Sequence, residues 1–209
     1  MNEITDYCTA VSSAESETCQ GIRQYARANY PTLDVMISGP LENALLKYLI
    51  RSTQAHTVLE IGTFVGYSAL SMAECLPDSG KLYTLDISET YVNDAKKFWG
   101  QTEAGEKIMS IIGPATSFLE SCSIKFDLIF IDADKPSYPT YFKLALECLS
   151  SKGSIVIDNA LWGGKVLEEY PKDENARAVK RLNQQIRDRD DLQSVLLPIR
   201  DGVHLVTRC

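Results

Sequence analysis

From residue 57 onward, short continuous apolar runs alternate with segments whose apolar residues recur at helical spacing. The runs predict strands at 57–61, 81–86, 108–112, 126–132 and 153–158, and the periodic segments predict helices near 66–76, 89–99, 115–121, 138–149 and 174–188. Runs that are apolar throughout mark strands buried on both faces, as in a parallel sheet. Regular alternation of strand and helix implies right-handed crossovers, with helices covering both faces of that sheet. Before residue 57 the chain reads as helical, with one segment near 15–29 stopped by Pro31. A second spans 41–51, where Leu41, Leu45, Leu46, Leu49 and Ile50 share a face and Pro40 suits a first-turn position. At the other end, two apolar runs at 194–199 and 203–207 flank Arg200-Asp201-Gly202, a hairpin signal. The fold class is therefore α/β, a mostly parallel sheet ending in an antiparallel pair.

A length of 209 residues, 44% hydrophobic and 23% charged, fits one soluble globular domain, with 1–55 as a helical N-terminal segment and 56–209 as the main body. A net charge of −7 opposes a surface for duplex nucleic acid. Lys180, Arg181, Arg187 and Arg189 make a local basic patch, but Asp188, Asp190 and Asp191 interrupt it, as on a solvated helix face. No run approaches the roughly 20 apolar residues of a membrane span, and the polar start lacks signal-peptide character, so cytoplasm is the expected location. The six cysteines form no C-x-x-C pair and read as reduced, partly buried residues. His56 reads as structural; His204, on the last strand, reads either as structural or as facing a pocket.

Chemistry concentrates at strand ends, where open parallel sheets bind ligands. Gly62-Thr63-Phe64-Val65-Gly66 follows the first strand, but its spacing is not the G-x-G-x-x-G of a pyrophosphate cradle, and Glu60 adds a negative charge. Asp86, ending the second strand, could accept hydrogen bonds from ribose hydroxyls. A cofactor with a sulfonium and an amino group suits this acidic rim better than a dinucleotide; alternatively, both acids are ordinary loop residues. Two further strands end on Asp132-Ala133-Asp134 and on Asp158-Asn159. Adjacent strand residues point to opposite faces, so Asp158 and Asn159 could share an ion only where the strand is ending. Such oxygens suit Mg²⁺, Ca²⁺ or Mn²⁺ and leave room for a chelating ortho-dihydroxy aromatic. They could equally form a turn and a helix cap.

Four motifs in order, Glu60-Ile-Gly-Thr-Phe-Val-Gly-Tyr-Ser68, Gly113-Pro-Ala115, Phe126-Asp-Leu-Ile-Phe-Ile-Asp-Ala-Asp-Lys135 with Tyr138, and Asp158-Asn-Ala-Leu-Trp-Gly-Gly164, resemble the cation-dependent, S-adenosylmethionine-dependent O-methyltransferases of the caffeoyl-CoA and catechol type. The likeness runs from about residue 36 to the end. It implies a Rossmann-like class I methyltransferase sheet of seven strands with the last reversed. It also implies that Ser38, Glu60, Gly62, Thr63, Ser68, Asp86 and Ala115 surround S-adenosylmethionine, with Asp132 bordering it. Asp132, Asp158 and Asn159 match the metal ligands, Mg²⁺ first among the candidates. Lys135 matches the general base and Trp162 an aromatic wall of the acceptor pocket. A catechol-like phenol is the implied substrate, and a homodimer through the N-terminal helices the implied assembly.

The chain departs from its relatives in places. Glu42-Asn43-Ala44 stands where many have Glu-Gly-Gln, Gly163 replaces an asparagine of plant enzymes, Arg200 stands where a glycine is common, and His204 occupies the region of a substrate-touching glutamate. The short acidic stretch 167–175 disfavours a coenzyme A ester. Two other readings are a dinucleotide-dependent oxidoreductase, opposed by the missing G-x-G-x-x-G, and a non-catalytic cofactor-binding protein, which would need neither Lys135 nor the metal ligands.

Overall fold

The computed structural model describes residues 3–33 and 36–209. Its strands are β1 (Thr57–Ile61), β2 (Lys81–Asp86), β3 (Ile108–Ile112), β4 (Phe126–Ile131), β5 (Leu149–Ile157), β6 (Leu192–Leu197) and β7 (Val203–Arg208). They form one seven-stranded sheet in the order β3-β2-β1-β4-β5-β7-β6, in which β7 runs antiparallel to β5 and β6. The apolar runs are explained by burial: Val58, Leu59, Phe126 and Leu128 through Ile131 are all buried, as strands enclosed on both faces require.

The chain divides into two compact units. The first holds the described residues up to Thr57 together with Thr63–Gly113. Within it lie α1 (Glu3–Ala10), α2 (Glu17–Asn29), α3 (Pro40–Thr53), α4 (Tyr67–Ala73), the parallel pair β2 and β3, and α5 (Glu89–Trp99). Pro40 occupies the first turn of α3, and Ser16 and Ser88 cap α2 and α5 through their hydroxyls. Tyr67 Oη donates to Glu15 at 2.7 Å, and Arg23 pairs with the same carboxylate at 2.5 Å, fastening α2 and the residue before its cap to α4.

The second unit holds Val58–Gly62 and Pro114–Cys209. It contains β1, β4 and β5 in parallel register, the β6–β7 hairpin, and the helices α6 (Ala115–Ser121), α7 (Tyr138–Cys148) and α8 (Glu174–Arg187). Among the described residues, no helix is long and apolar enough to cross a membrane.

Three elements differ from the expectation. Helix α1 buries none of its residues, so it has no apolar face against a core for periodicity to reveal. Strand β5 starts at Leu149 rather than 153, through a polar stretch whose pairing with β4 shifts register between Phe126 and Leu128. Gly153 lies in that stretch, where an added Cβ would come within 2.7 Å of the Phe126 carbonyl oxygen. Strand β6 sits two residues earlier than expected, ending before Pro198, which has no amide hydrogen for the ladder.

Candidate functional site

In the first unit the turn after β1 is built around Asp86. Its Oδ2 accepts the main-chain amides of Thr63 at 3.1 Å and Phe64 at 2.8 Å, and its Oδ1 accepts that of Ser88 at 2.8 Å. These bonds hold the end of β2 and the turn as one piece. Thr63 continues the contact from its own side chain, 2.6 Å from the Thr84 hydroxyl and almost fully buried. Gly66, at φ 77°, allows α4 to begin where a Cβ would sit 2.4 Å from the Trp99 ring. Trp99 Nε1 donates to the Gly66 carbonyl at 3.0 Å, a support not anticipated from the sequence. Ser68 lies buried in the first turn of α4. Ser38, buried ahead of α3, accepts a hydrogen bond from Asn43 Nδ2 at 2.8 Å. The same nitrogen also donates to the Gly39 carbonyl at 3.1 Å, so the Asn43 amide holds the Ser38 hydroxyl in place.

In the second unit, Glu60 is a fully buried carboxylate on β1. Gly62, at φ 107°, passes so close to β4 that a Cβ would lie 1.9 Å from the Asp132 carbonyl oxygen. Ala115 is buried in the first turn of α6. Ile131 pairs with Ile157, and the Asp158 amide donates to the Ile131 carbonyl at 3.0 Å. Asp132 and Asp158 thus leave neighbouring parallel strands at the same level, where strands lie about 4.8 Å apart. Asn159 turns the chain at φ 53°, so its side chain no longer follows the strand alternation. Two carboxylates leaving neighbouring strands at one level, with an amide next in sequence, are hard oxygen groups of the kind that suits a hexacoordinate divalent cation. Among the described residues, no group of three or more His, Cys, Asp or Glu side chains forms a metal cluster, and here the third candidate ligand is an amide.

Lys135 is buried beside Asp132. Its Nζ lies 3.0 Å from Asp132 Oδ1 and 2.6 Å from the Tyr138 hydroxyl, and 6.0 Å from the centre of the Trp162 ring. Asp134, the other acid of the motif, points elsewhere and accepts from Tyr141 at 2.6 Å. Lys135 therefore pairs with Asp132.

Trp162 opens a short kinked 3₁₀ stretch, Trp162–Leu167, in the β5–α8 loop, and side chains hold it in place. Its Nε1 donates to Asp173 Oδ2 at 3.1 Å, and Lys165 meets the same oxygen at 2.6 Å. Oδ1 of Asp173 caps α8 through Asn175 and Ala176. These contacts hold the Asp173 carboxyl down at about 2, Lys165 being the larger cause. Asp201 in the hairpin turn accepts from the Gly163 amide at 2.6 Å. Asn159, Trp162 and Arg200 all have positive φ without being glycine, a cluster of strained backbone on this loop and its clamp. His204 is buried, with Nδ1 3.0 Å from Asn183 Oδ1, while Asn183 Nδ2 donates to the Ala160 carbonyl at 2.8 Å. Burial pushes the His204 imidazole down to about 4. Sequence reasoning missed Asp173 and Asn183, although Asp173-Glu-Asn-Ala ahead of a helical pattern is a readable cap signal.

The strand order, the glycine turn after β1 and the acidic end of β2 define a class I methyltransferase. The chain matches the O-methyltransferase family over residues 9–209 and belongs to it; it is an S-adenosylmethionine-dependent O-methyltransferase. It is 35% identical to a catechol O-methyltransferase of Niastella koreensis over 163 residues, 76% of this chain and 72% of the relative. It is 31% identical to caffeoyl-CoA O-methyltransferase 1 of Eucalyptus globulus, over 96% of this chain and 85% of the relative. Among solved structures, the O-methyltransferase TomG of Streptomyces achromogenes, involved in tomaymycin synthesis and in complex with S-adenosylmethionine, superposes with a TM-score of 0.89 at 27% identity, covering 99% of this chain and 96% of TomG.

Proposed function

We propose that the protein transfers the methyl group of S-adenosylmethionine to one hydroxyl of a small catechol-like phenol with the help of a divalent cation, Mg²⁺ before Ca²⁺ or Mn²⁺. The observation that carries this reading is the pairing of Asp132 and Asp158 at one level of neighbouring strands, with Lys135 Nζ 3.0 Å from Asp132. In this proposal Asp132, Asp158 and Asn159 hold the cation, which when bound would favour ionisation of a chelated hydroxyl. Lys135 takes that hydroxyl's proton on Nζ. Trp162 flanks the aromatic ring of the acceptor, its indole fixed by Asp173. Asp86 accepts from a ribose hydroxyl, Ser38 donates to the cofactor carboxylate, and Glu60, Gly62, Thr63, Ser68 and Ala115 complete the cofactor's surroundings. The names of relatives acting on catechol and caffeoyl-CoA support a phenolic acceptor.

The decisive assay follows methyl transfer to catechol with Mg²⁺, with EDTA, and in Asp158→Ala. Transfer is expected to fall at least about 100-fold in both latter cases, because each removes a charge interaction made in the transition state. Undiminished transfer in EDTA-treated, metal-free protein would refute the metal assignment.

A further inference from the structure

Tyr138, the first residue of α7, is completely buried, and a buried phenol must place its hydroxyl among partners. Its oxygen lies 2.6 Å from Lys135 Nζ, 3.2 Å from the Asp158 carbonyl oxygen and 3.4 Å from the Ile131 carbonyl oxygen. Carbonyl oxygens only accept, so the phenolic proton is directed to the main chain, and an oxygen lone pair faces Lys135. Lys135 Nζ therefore donates to two acceptors, the Tyr138 oxygen and Asp132 Oδ1. Nζ has three tetrahedral directions besides its bond to Cε. With two of them taken up by these acceptors, the third is fixed in space.

We propose that Tyr138 is a positioning residue that turns the one open direction of Lys135 Nζ toward the acceptor hydroxyl; this rests on Lys135 being the base. The phenol oxygen is held by the main chain of the two strand ends that carry the proposed ligands, so base and ligands keep one geometry. The proton of the acceptor hydroxyl passes to Nζ, its oxygen forms the new bond to the methyl carbon, and the electron pair of the broken carbon–sulfur bond stays on sulfur. Tyr138 neither gains nor loses a proton.

The test is Tyr138→Phe, which removes one oxygen and keeps the ring. Rates are normalised to the fraction of chains that bind S-adenosylhomocysteine stoichiometrically, so a poorly folding variant is still read. With catechol, kcat is expected to fall roughly 10- to 100-fold, within the range of general-base effects, while KM and the S-adenosylhomocysteine Kd change less than about twofold. The loss is expected to shrink along a series of catechols bearing electron-withdrawing groups, whose hydroxyls need less help to ionise. In a Lys135→Met background, Tyr138→Phe is expected to have no further effect. A loss that is uniform along the series, or equally large without Lys135, would assign Tyr138 a structural role only. If Lys135→Met is inactive while Tyr138→Phe keeps wild-type kcat, the positioning role alone falls. If Lys135→Met keeps wild-type kcat, the base assignment falls and the Tyr138 role with it.

Discussion

Asp86 illustrates how much of a carboxylate's hydrogen-bonding capacity can be committed within the fold itself. A carboxylate has about four acceptor positions, and three are occupied by the amides of Thr63, Phe64 and Ser88, which leaves Oδ1 one position for a hydroxyl. Asp86→Ala is therefore expected to act twice. It leaves three amides without their acceptor, costing about 2 kcal/mol in urea unfolding, and it weakens S-adenosylhomocysteine binding in calorimetry beyond what that instability explains. Gly62 makes a steric point of the same kind. Its positive φ and the 1.9 Å approach to the Asp132 carbonyl oxygen leave no space for a methyl group. Gly62→Ala is expected to cost about 3 kcal/mol or more, read as a lower denaturation midpoint, because backbone strain and overpacking add. A glycine-containing turn was legible from the sequence; that β4 lies against it was not, because the contact joins residues 70 positions apart.

At the scale of elements, the loop between β5 and α8 is held by groups from three different places. Asp173 fixes Trp162 and starts α8, Asp201 receives the Gly163 amide, and Asn183 reaches back to the Ala160 carbonyl. Asp173→Ala is expected to raise the acceptor KM several-fold while leaving the S-adenosylhomocysteine Kd nearly unchanged, measured by steady-state kinetics and calorimetry, since it releases the indole without touching the cofactor residues. The β6–β7 hairpin was readable from Asp201-Gly202 between apolar runs, because turn chemistry is local. The early start of β5 was not, since its first residues are polar and pair only through a shifted register supplied by β4. The Trp162 anchor was equally invisible, because an indole hydrogen bond to a carboxylate 11 residues away leaves no periodic trace.

For the whole molecule, His204 sets an expected acid limit on stability. Its folded value of about 4 lies below the ordinary 6.5, so the unfolded chain binds the proton first. The stabilising effect is complete above pH 6.5 and is lost as pH falls toward 4, on the order of 3 kcal/mol for this one group. Urea midpoints measured from pH 7 to pH 4 are expected to fall in the wild type and to fall less in His204→Gln. Helix α1 presents Ile4 and Tyr7 at 70% and 69% exposure, and Val11, just past its end, is 65% exposed. If the homodimer that the family resemblance implies forms through the N-terminal helices, Tyr7→Glu is expected to shift light-scattering mass toward the monomer. The sequence by itself determined the alternation of strands and helices, the reversed terminal strand, and the residue types at each strand end, because burial on two faces and turn chemistry are written into neighbouring residues. Only the tertiary structure decided that Asp132 and Asp158 stand level, that Lys135 faces Asp132 and Tyr138 rather than Asp134, and that Asp173 holds Trp162. Those relations depend on strand register and on contacts between segments that the chain brings together only when folded.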